Sequence, residues 1–188
     1  MKTPNSWQKK LPMQITMSRV YILPLIIGLM WPNQFLWNCL AAGLFVIASI
    51  TDYYDGHFAR KYGAVSNMGK FMDPIADKIL VTSVLVMLLS QAKIDVVMVI
   101  IILMRDTFIG GIRSVAAADQ IIIDAKATGK WKTALQMIAI PLIMINEIPQ
   151  LPLPIGKIGW GALWITVFLS VLSGWDYFKS YKKASAAK

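Results

Sequence analysis

Residues 20–51 read VYILPLIIGLMWPNQFLWNCLAAGLFVIASIT and contain no Asp, Glu, Lys, Arg or His. One bilayer crossing takes about 20 apolar residues, so this run is too long for a single crossing. It is broken once, at Trp31-Pro32-Asn33-Gln34, a turn signal carrying a tryptophan suited to a membrane–water boundary. The run therefore reads as two helices meeting at one face of a membrane. The rest of the chain follows the same plan. Of 188 residues, 56% are hydrophobic and 15% charged, against about 25% charged in a soluble domain. Six crossings need about 120 residues, and the chain can supply them. This composition excludes disorder. A single cysteine, Cys39, excludes a disulfide framework.

The pattern predicts an all-α integral membrane domain spanning the whole chain. Its helices are expected at about Thr16–Met30, Phe35–Arg60, Pro74–Ser90, Val96–Ala118, Thr133–Asn146 and Ile158–Phe178. The polar stretch Asp119–Lys132 reads as a loop or short surface helix. Glu147–Lys157, with three prolines, reads as a loop, and Lys179–Lys188 as a frayed basic tail. Residues 1–15 form a possible interfacial segment around Trp7, Lys9 and Lys10. No cleavable signal segment is read in Met1–Arg19.

Nineteen Lys and Arg face ten acids, a formal charge of +9. In a soluble protein that excess would suggest nucleic acid; in a membrane protein it marks the cytoplasmic side and attracts anionic lipid. Lys9, Lys10, Arg19, Arg60, Lys61, Lys70, Lys126, Lys130 and Lys179 fall on one side, whereas the opposite loops hold only Lys93 and Lys157. Both termini are thus expected in the cytoplasm. Lipids, not nucleic acid, are the expected surroundings.

Four of the nine aspartates lie within 26 residues: Asp52, Asp55, Asp73 and Asp77. On a helix the spacings i, i+3 and i, i+4 put each pair on one face. A loop of about twelve residues would bring the two pairs together at the cytoplasmic boundary. Four carboxylates there repel one another unless a cation neutralises them. Oxygen donors without His or Cys suit Mg²⁺ or Mn²⁺. Two such ions suit phosphoryl displacement. The alternative is solvated helix-end charges paired with Arg60, Lys61, Lys70 and Lys78. Gly56 and Ala59 share a face and open a smooth groove beside the acids, or else let two helices pack closely. Gly69 permits a close backbone approach to phosphate.

Together these residues spell Asp52-x2-Asp55-Gly56-x2-Ala59-Arg60-x8-Gly69-x3-Asp73-x3-Asp77. The pattern resembles the signature of the CDP-alcohol phosphotransferase family at all eight fixed positions. A chance match at one start is on the order of 10⁻⁹. The resemblance implies a six-helix membrane enzyme, a homodimer, that uses a CDP-linked lipid and two Mg²⁺ or Mn²⁺ ions. It implies metal binding by Asp52, Asp55, Asp73 and Asp77, with Asp77 as the base on the acceptor hydroxyl. It places Asp52, Gly56, Ala59, Arg60, Gly69 and Thr16 on the nucleotide side. The N-terminal Leu11-Pro12-x2-Ile15-Thr16-x2-Arg19 is also similar, but Met13 stands where the family usually has Asn.

Arg105 lies deep enough in its helix to need a partner or ligand. Asp106 and Arg113 share a face, and Gly129-Lys130-Trp131-Lys132-Thr133 sets two lysines at an expected helix start, a phosphate-binding arrangement. Plain ion pairing and interfacial anchoring are the simpler readings. With Leu172-Ser173-Gly174-x2-Tyr177, these segments are similar to the branch of the family that transfers a phosphatidyl group from CDP-diacylglycerol to glycerol 3-phosphate. The resemblance makes Arg105, Arg113, Lys130 and Lys132 candidates for the acceptor phosphate. It also implies phospholipid biosynthesis; the compact size and the lack of a targeting segment point to a bacterial inner membrane, with the site facing the cytoplasm, and a signal-free organelle protein is the alternative. Serine or inositol phosphate is the alternative acceptor. A divalent-cation transporter is the alternative of another class, disfavoured because the outer helix halves lack ionisable residues. His57, the one histidine, reads as interfacial. Cys39 and the eleven methionines read as packing.

Overall fold

A computed structural model describes residues 20–62, 67–119, 127–146 and 153–186, with side chains described outside 52–62, 67–77, 117–118, 127 and 186. These residues form six helices and no strand. They are α1 (Val20–Met30), α2 (Phe35–Tyr62), α3 (Asn67–Ser90), α4 (Val96–Ala118), α5 (Ala127–Ile145) and α6 (Ile155–Ala186).

α2 ends two residues later than expected, at Tyr62, and α6 begins three residues earlier, at Ile155, inside the expected loop Glu147–Lys157; three boundaries differ by more. α3 begins at Asn67, seven residues before Pro74. Met68, Phe71 and Met72 carry helical apolar spacing ahead of that proline, and a proline costs the helix one hydrogen bond, not its existence. Helix thus covers 61–62 and 67–73 of the expected twelve-residue loop. α5 begins at Ala127, within the stretch Asp119–Lys132 that reads as a loop or short surface helix. There Thr128 and Lys132 turn inward, and Lys132 finds an ion-pair partner that local sequence cannot reveal. α6 runs on through the basic tail to Ala186, where lysines favour the negative end of a helix.

The core forms where α2, α3, α4, α5 and α6 meet, around Phe45, Leu85, Ile102, Ile140, Met144 and Leu163, none more than 1% exposed. α5 and α6 pack most extensively. Gly159 makes that possible: a Cβ there would lie 2.8 Å from Ile143 and 3.0 Å from the Ala139 carbonyl. In lipid, close packing of this kind through small residues replaces the hydrophobic drive.

Tight reversals close the bundle's other end. α1 stops at Trp31, and Asn33 adopts a left-handed φ of 50°, which Asn tolerates. α3 ends in a Schellman motif: Lys93 N–H reaches Leu88 C=O at 3.0 Å and Ala92 N–H reaches Leu89 C=O at 3.0 Å, with Ala92 at φ 54°. Gly156 N–H donates to the Asn146 carbonyl at 2.6 Å, and a side chain at 156 would collide with Asn146.

Apolar side chains also point outward, Ile47 at 59% and Phe168 at 64% exposure among them. Among the described residues, one helix, α6, is long and apolar enough to cross a membrane by length and composition; the apolar parts of α1, α2 and α3 are shorter. At 1.5 Å per residue α6 extends roughly 48 Å, well beyond a hydrocarbon core of about 30 Å.

Candidate active site at the charged ends of four helices

The eight signature positions fall on the end of α2 and the beginning of α3. Asp52, Asp55, Gly56, Ala59 and Arg60 occupy the last three turns of α2, and Gly69, Asp73 and Asp77 the first three turns of α3. Because the backbone is helical across both stretches, the spacings i, i+3 and i, i+4 give each aspartate pair a common face. The side chains of these residues, and all of Thr16, lie outside the described residues. Among the described residues no three His, Cys, Asp or Glu side chains cluster as a metal site. The signature supplies an all-oxygen donor set of four carboxylates, which fits Mg²⁺ or Mn²⁺ and not Zn²⁺.

Lys78 follows Asp77 directly and ties this segment to a second charged group. Its Nζ donates to the Asp106 carbonyl at 2.9 Å, packed over Gly110, where a side chain would displace it. Asp106 is the centre of a network joining α3, α4, α5 and α6. Its carboxylate accepts from Lys132 Nζ at 2.8 Å through both oxygens and from Arg105 Nη1 at 2.9 Å. Arg105 Nη2 in turn donates to Ser173 Oγ at 2.9 Å on α6, and Ser173 donates to the Ser170 carbonyl at 3.2 Å.

The four candidate phosphate-binding cations thus divide. Arg105 and Lys132 are held by Asp106 and half-buried or buried. Lys130 is exposed in the first turn of α5. Arg113 is exposed one face-repeat along α4 from Asp106, its guanidinium 5.4 Å from the centroid of the Tyr177 ring.

The segment Leu172-Ser173-Gly174-x2-Tyr177 now has a physical account. Ser173 holds Arg105, Gly174 lets the Arg105 stem pass (a Cβ would lie 3.3 Å from its Cγ), and Tyr177 backs Arg113. These roles, and that of Lys78, are absent from the sequence reading. The helical spacing of Ser173 and Tyr177 is the signal that could have suggested them.

Several buried polar atoms here lack partners among the described residues: Arg105 Nε, Thr128 Oγ1, Gln136 Nε2 and Ser170 Oγ. Thr128, Lys132 and Gln136 recur every four residues along one face of α5. Buried donors without partners are costly in a folded protein and mark places where a polar ligand or water belongs.

Comparison with known proteins decides the assignment. A profile of the CDP-alcohol phosphatidyltransferase family matches residues 9–172. The chain belongs to this family. A CDP-diacylglycerol–glycerol-3-phosphate 3-phosphatidyltransferase of Rickettsia bellii is 38% identical over 175 residues, covering 93% of this chain and 97% of its own. The protein of the same name from Bacillus subtilis is 37% identical over 183 residues, covering 89% and 93%. A plant homologue, from Arabidopsis thaliana, is 29% identical over 177 residues. Membership in the CDP-alcohol phosphatidyltransferases makes the chain an enzyme of phosphatidyl-group transfer, in agreement with the aspartate pattern.

Proposed function

We propose that this protein transfers the phosphatidyl group of CDP-diacylglycerol to glycerol 3-phosphate, forming phosphatidylglycerophosphate and CMP at a bacterial inner membrane. The observation that carries the reading is 37–38% identity, over most of the chain, to relatives named for that reaction. The alternative acceptors, serine and inositol phosphate, and the cation transporter have no such support.

The chain's residues divide the work as follows. Asp52, Asp55, Asp73 and Asp77 would hold a pair of divalent ions, which when bound would supply positive charge to offset the diphosphate and the leaving CMP. Asp52, Gly56, Ala59, Arg60, Gly69 and Thr16 hold the nucleotide. Asp77 takes the proton from the acceptor hydroxyl. The acceptor oxygen then bonds to the β-phosphorus as the bond to the CMP oxygen breaks. Arg113 and Lys130 receive the phosphate of glycerol 3-phosphate, with Lys132 and Arg105 supplying positive potential from their places on Asp106. Lys78 keeps the start of α3 against this cationic group. Six crossings with both termini in the cytoplasm, and a homodimer, complete the reading.

The test is an acceptor panel. Protein in detergent micelles receives CDP-diacylglycerol and Mg²⁺ or Mn²⁺, with glycerol 3-phosphate, serine or inositol 1-phosphate, and CMP release is followed. Release with glycerol 3-phosphate alone, reduced at least about 100-fold in Asp77→Asn, supports the reading. Release with another acceptor overturns the assignment of Arg113 and Lys130. Absence of metal-dependent release from folded protein overturns the enzyme mechanism.

A further inference from the structure

We propose that the cleft between α4 and α6 is a binding site for a resident anionic phospholipid. One acyl chain lies in the cleft and the lipid phosphate sits at Lys182 and Lys179. This site adjoins the acceptor site at Arg105 but is distinct from the seat of CDP-diacylglycerol. The inference rests on α6 crossing the membrane.

The cleft has a volume of about 570 Å³. Its walls are Met104 and Phe108 on α4 and Val171, Leu172, Trp175 and Phe178 on α6, with Arg105 the sole charged lining residue among the described residues. These side chains are not packed away: Met104 is 67% exposed and Trp175 59%. Phe178 also borders a second hollow of about 370 Å³, lined by Tyr181, Lys182 and Ser185. The two hollows thus run on from one another, apolar first and basic after.

The level of each hollow matches the parts of a lipid. The run Ile158–Phe178 has 21 residues and is uncharged up to Asp176 near its end, roughly 31 Å of helix and the thickness of a hydrocarbon core. Phe178 therefore marks the core's edge. Lys179, Lys182 and Lys183 stand just beyond it, at headgroup depth, against one acid in this stretch, Asp176. Lys179 Nζ lies 5.3 Å from the Trp175 ring centroid, a cation held over the mouth of the cleft. An apolar slot that opens onto lysines at headgroup depth complements an anionic amphiphile. A zwitterionic lipid fills the slot equally well but carries no net charge for the lysines. A water-soluble peptide cannot reach the cleft's depth.

The experiment uses the full chain in phosphatidylcholine nanodiscs. Trace phosphatidylglycerol or phosphatidylcholine carrying a photoreactive group on one acyl chain is added, and labelled peptides are mapped by mass spectrometry. The phosphatidylglycerol probe is expected to label residues 101–108 and 171–178 about tenfold more than the phosphatidylcholine probe. Lys179→Gln with Lys182→Gln removes that preference but not the residual labelling. Met104→Trp, which fills the slot from an exposed position, removes labelling by both probes. CMP release at the parent rate shows that each variant is folded. Equal labelling by the two probes overturns the proposal, as does a preference that survives loss of both lysines. Displacement of the probe by CDP-diacylglycerol overturns it by making the cleft the substrate's own acyl site. Chain-to-chain cross-links through the cleft in place of lipid labelling overturn it in favour of a second copy.

Discussion

Lys132 Nζ lies 2.8 Å from each carboxylate oxygen of Asp106, and the lysine side chain is 5% exposed. A sequence holding Lys130 and Lys132 near a helix start offers two equivalent cations. The fold makes them different. Lys132 is a buried half of a pair, and Lys130 is open to solvent. Removing one partner of a buried pair leaves the other's charge uncompensated, at a cost of about 3–5 kcal/mol for a fully buried pair. Asp106 is 21% exposed, which moderates the figure. Asp106→Ala is expected to cost about 2–3 kcal/mol. Lys132→Met is expected to cost less, because Asp106 keeps Arg105. Thermal unfolding of both variants in detergent measures the difference, and equal losses would show that Arg105 does not compensate Asp106 once Lys132 is removed.

Arg113 is expected to act on acceptor binding. Charge-assisted hydrogen bonds contribute about 1.5–3 kcal/mol, so Arg113→Ala should raise KM for glycerol 3-phosphate about ten- to a hundredfold with little change in kcat. Tyr177 supports this guanidinium through its ring face. Tyr177→Phe keeps the ring and should leave KM within about twofold. Tyr177→Leu loses a cation–π contact of about 0.5–1 kcal/mol and should raise KM a few-fold. A fall in kcat without a KM change in Arg113→Ala would place the residue at the reacting atoms instead.

Much of this was legible in the chain. Apolar runs and turn signals locate all six helices, and α4 has the expected bounds, Val96–Ala118. The aspartate signature names the family because its eight positions recur at fixed spacing. What local sequence could not supply is partnership across the bundle. Ser173 to Arg105, Lys78 to the Asp106 carbonyl, and Lys132 to Asp106 each join residues far apart in the chain. The start of α5 lies six residues before the expected Thr133 for the same reason: its polar residues read as loop or short surface helix until their inward partners are known.

Ala92 holds the left-handed position of the α3 Schellman motif, where glycine is usual. An L-residue pays about 1–2 kcal/mol in that conformation. Glycine relieves it but gains freedom in the unfolded chain, which returns part of the benefit. Ala92 is exposed, so no packing is lost. Ala92→Gly should therefore raise stability by about 0.5–1 kcal/mol, seen as a higher unfolding midpoint with activity unchanged. A lower midpoint would mean that the reversal does not persist in solution.

Lys93, three residues past the end of α3, gives the fold a defined alkaline response. Burial pushes its ammonium below the ordinary lysine value of 10.5. Its one described partner is the Met144 carbonyl, at 3.5 Å, too distant to offset the lost hydration. The unfolded chain therefore binds the proton more tightly than the folded one, and the sign follows from linkage. Below the folded pKa the charged lysine opposes folding. As pH rises from that value toward 10.5 the penalty disappears, so this residue's contribution to stability improves with pH. Lys93→Met removes the penalty at every pH. The variant should be more stable than the parent at pH 7, and the gap should close as pH approaches 10.5. Unfolding midpoints of parent and variant across that range provide the check, and two parallel curves would show that Lys93 is fully hydrated in the folded protein.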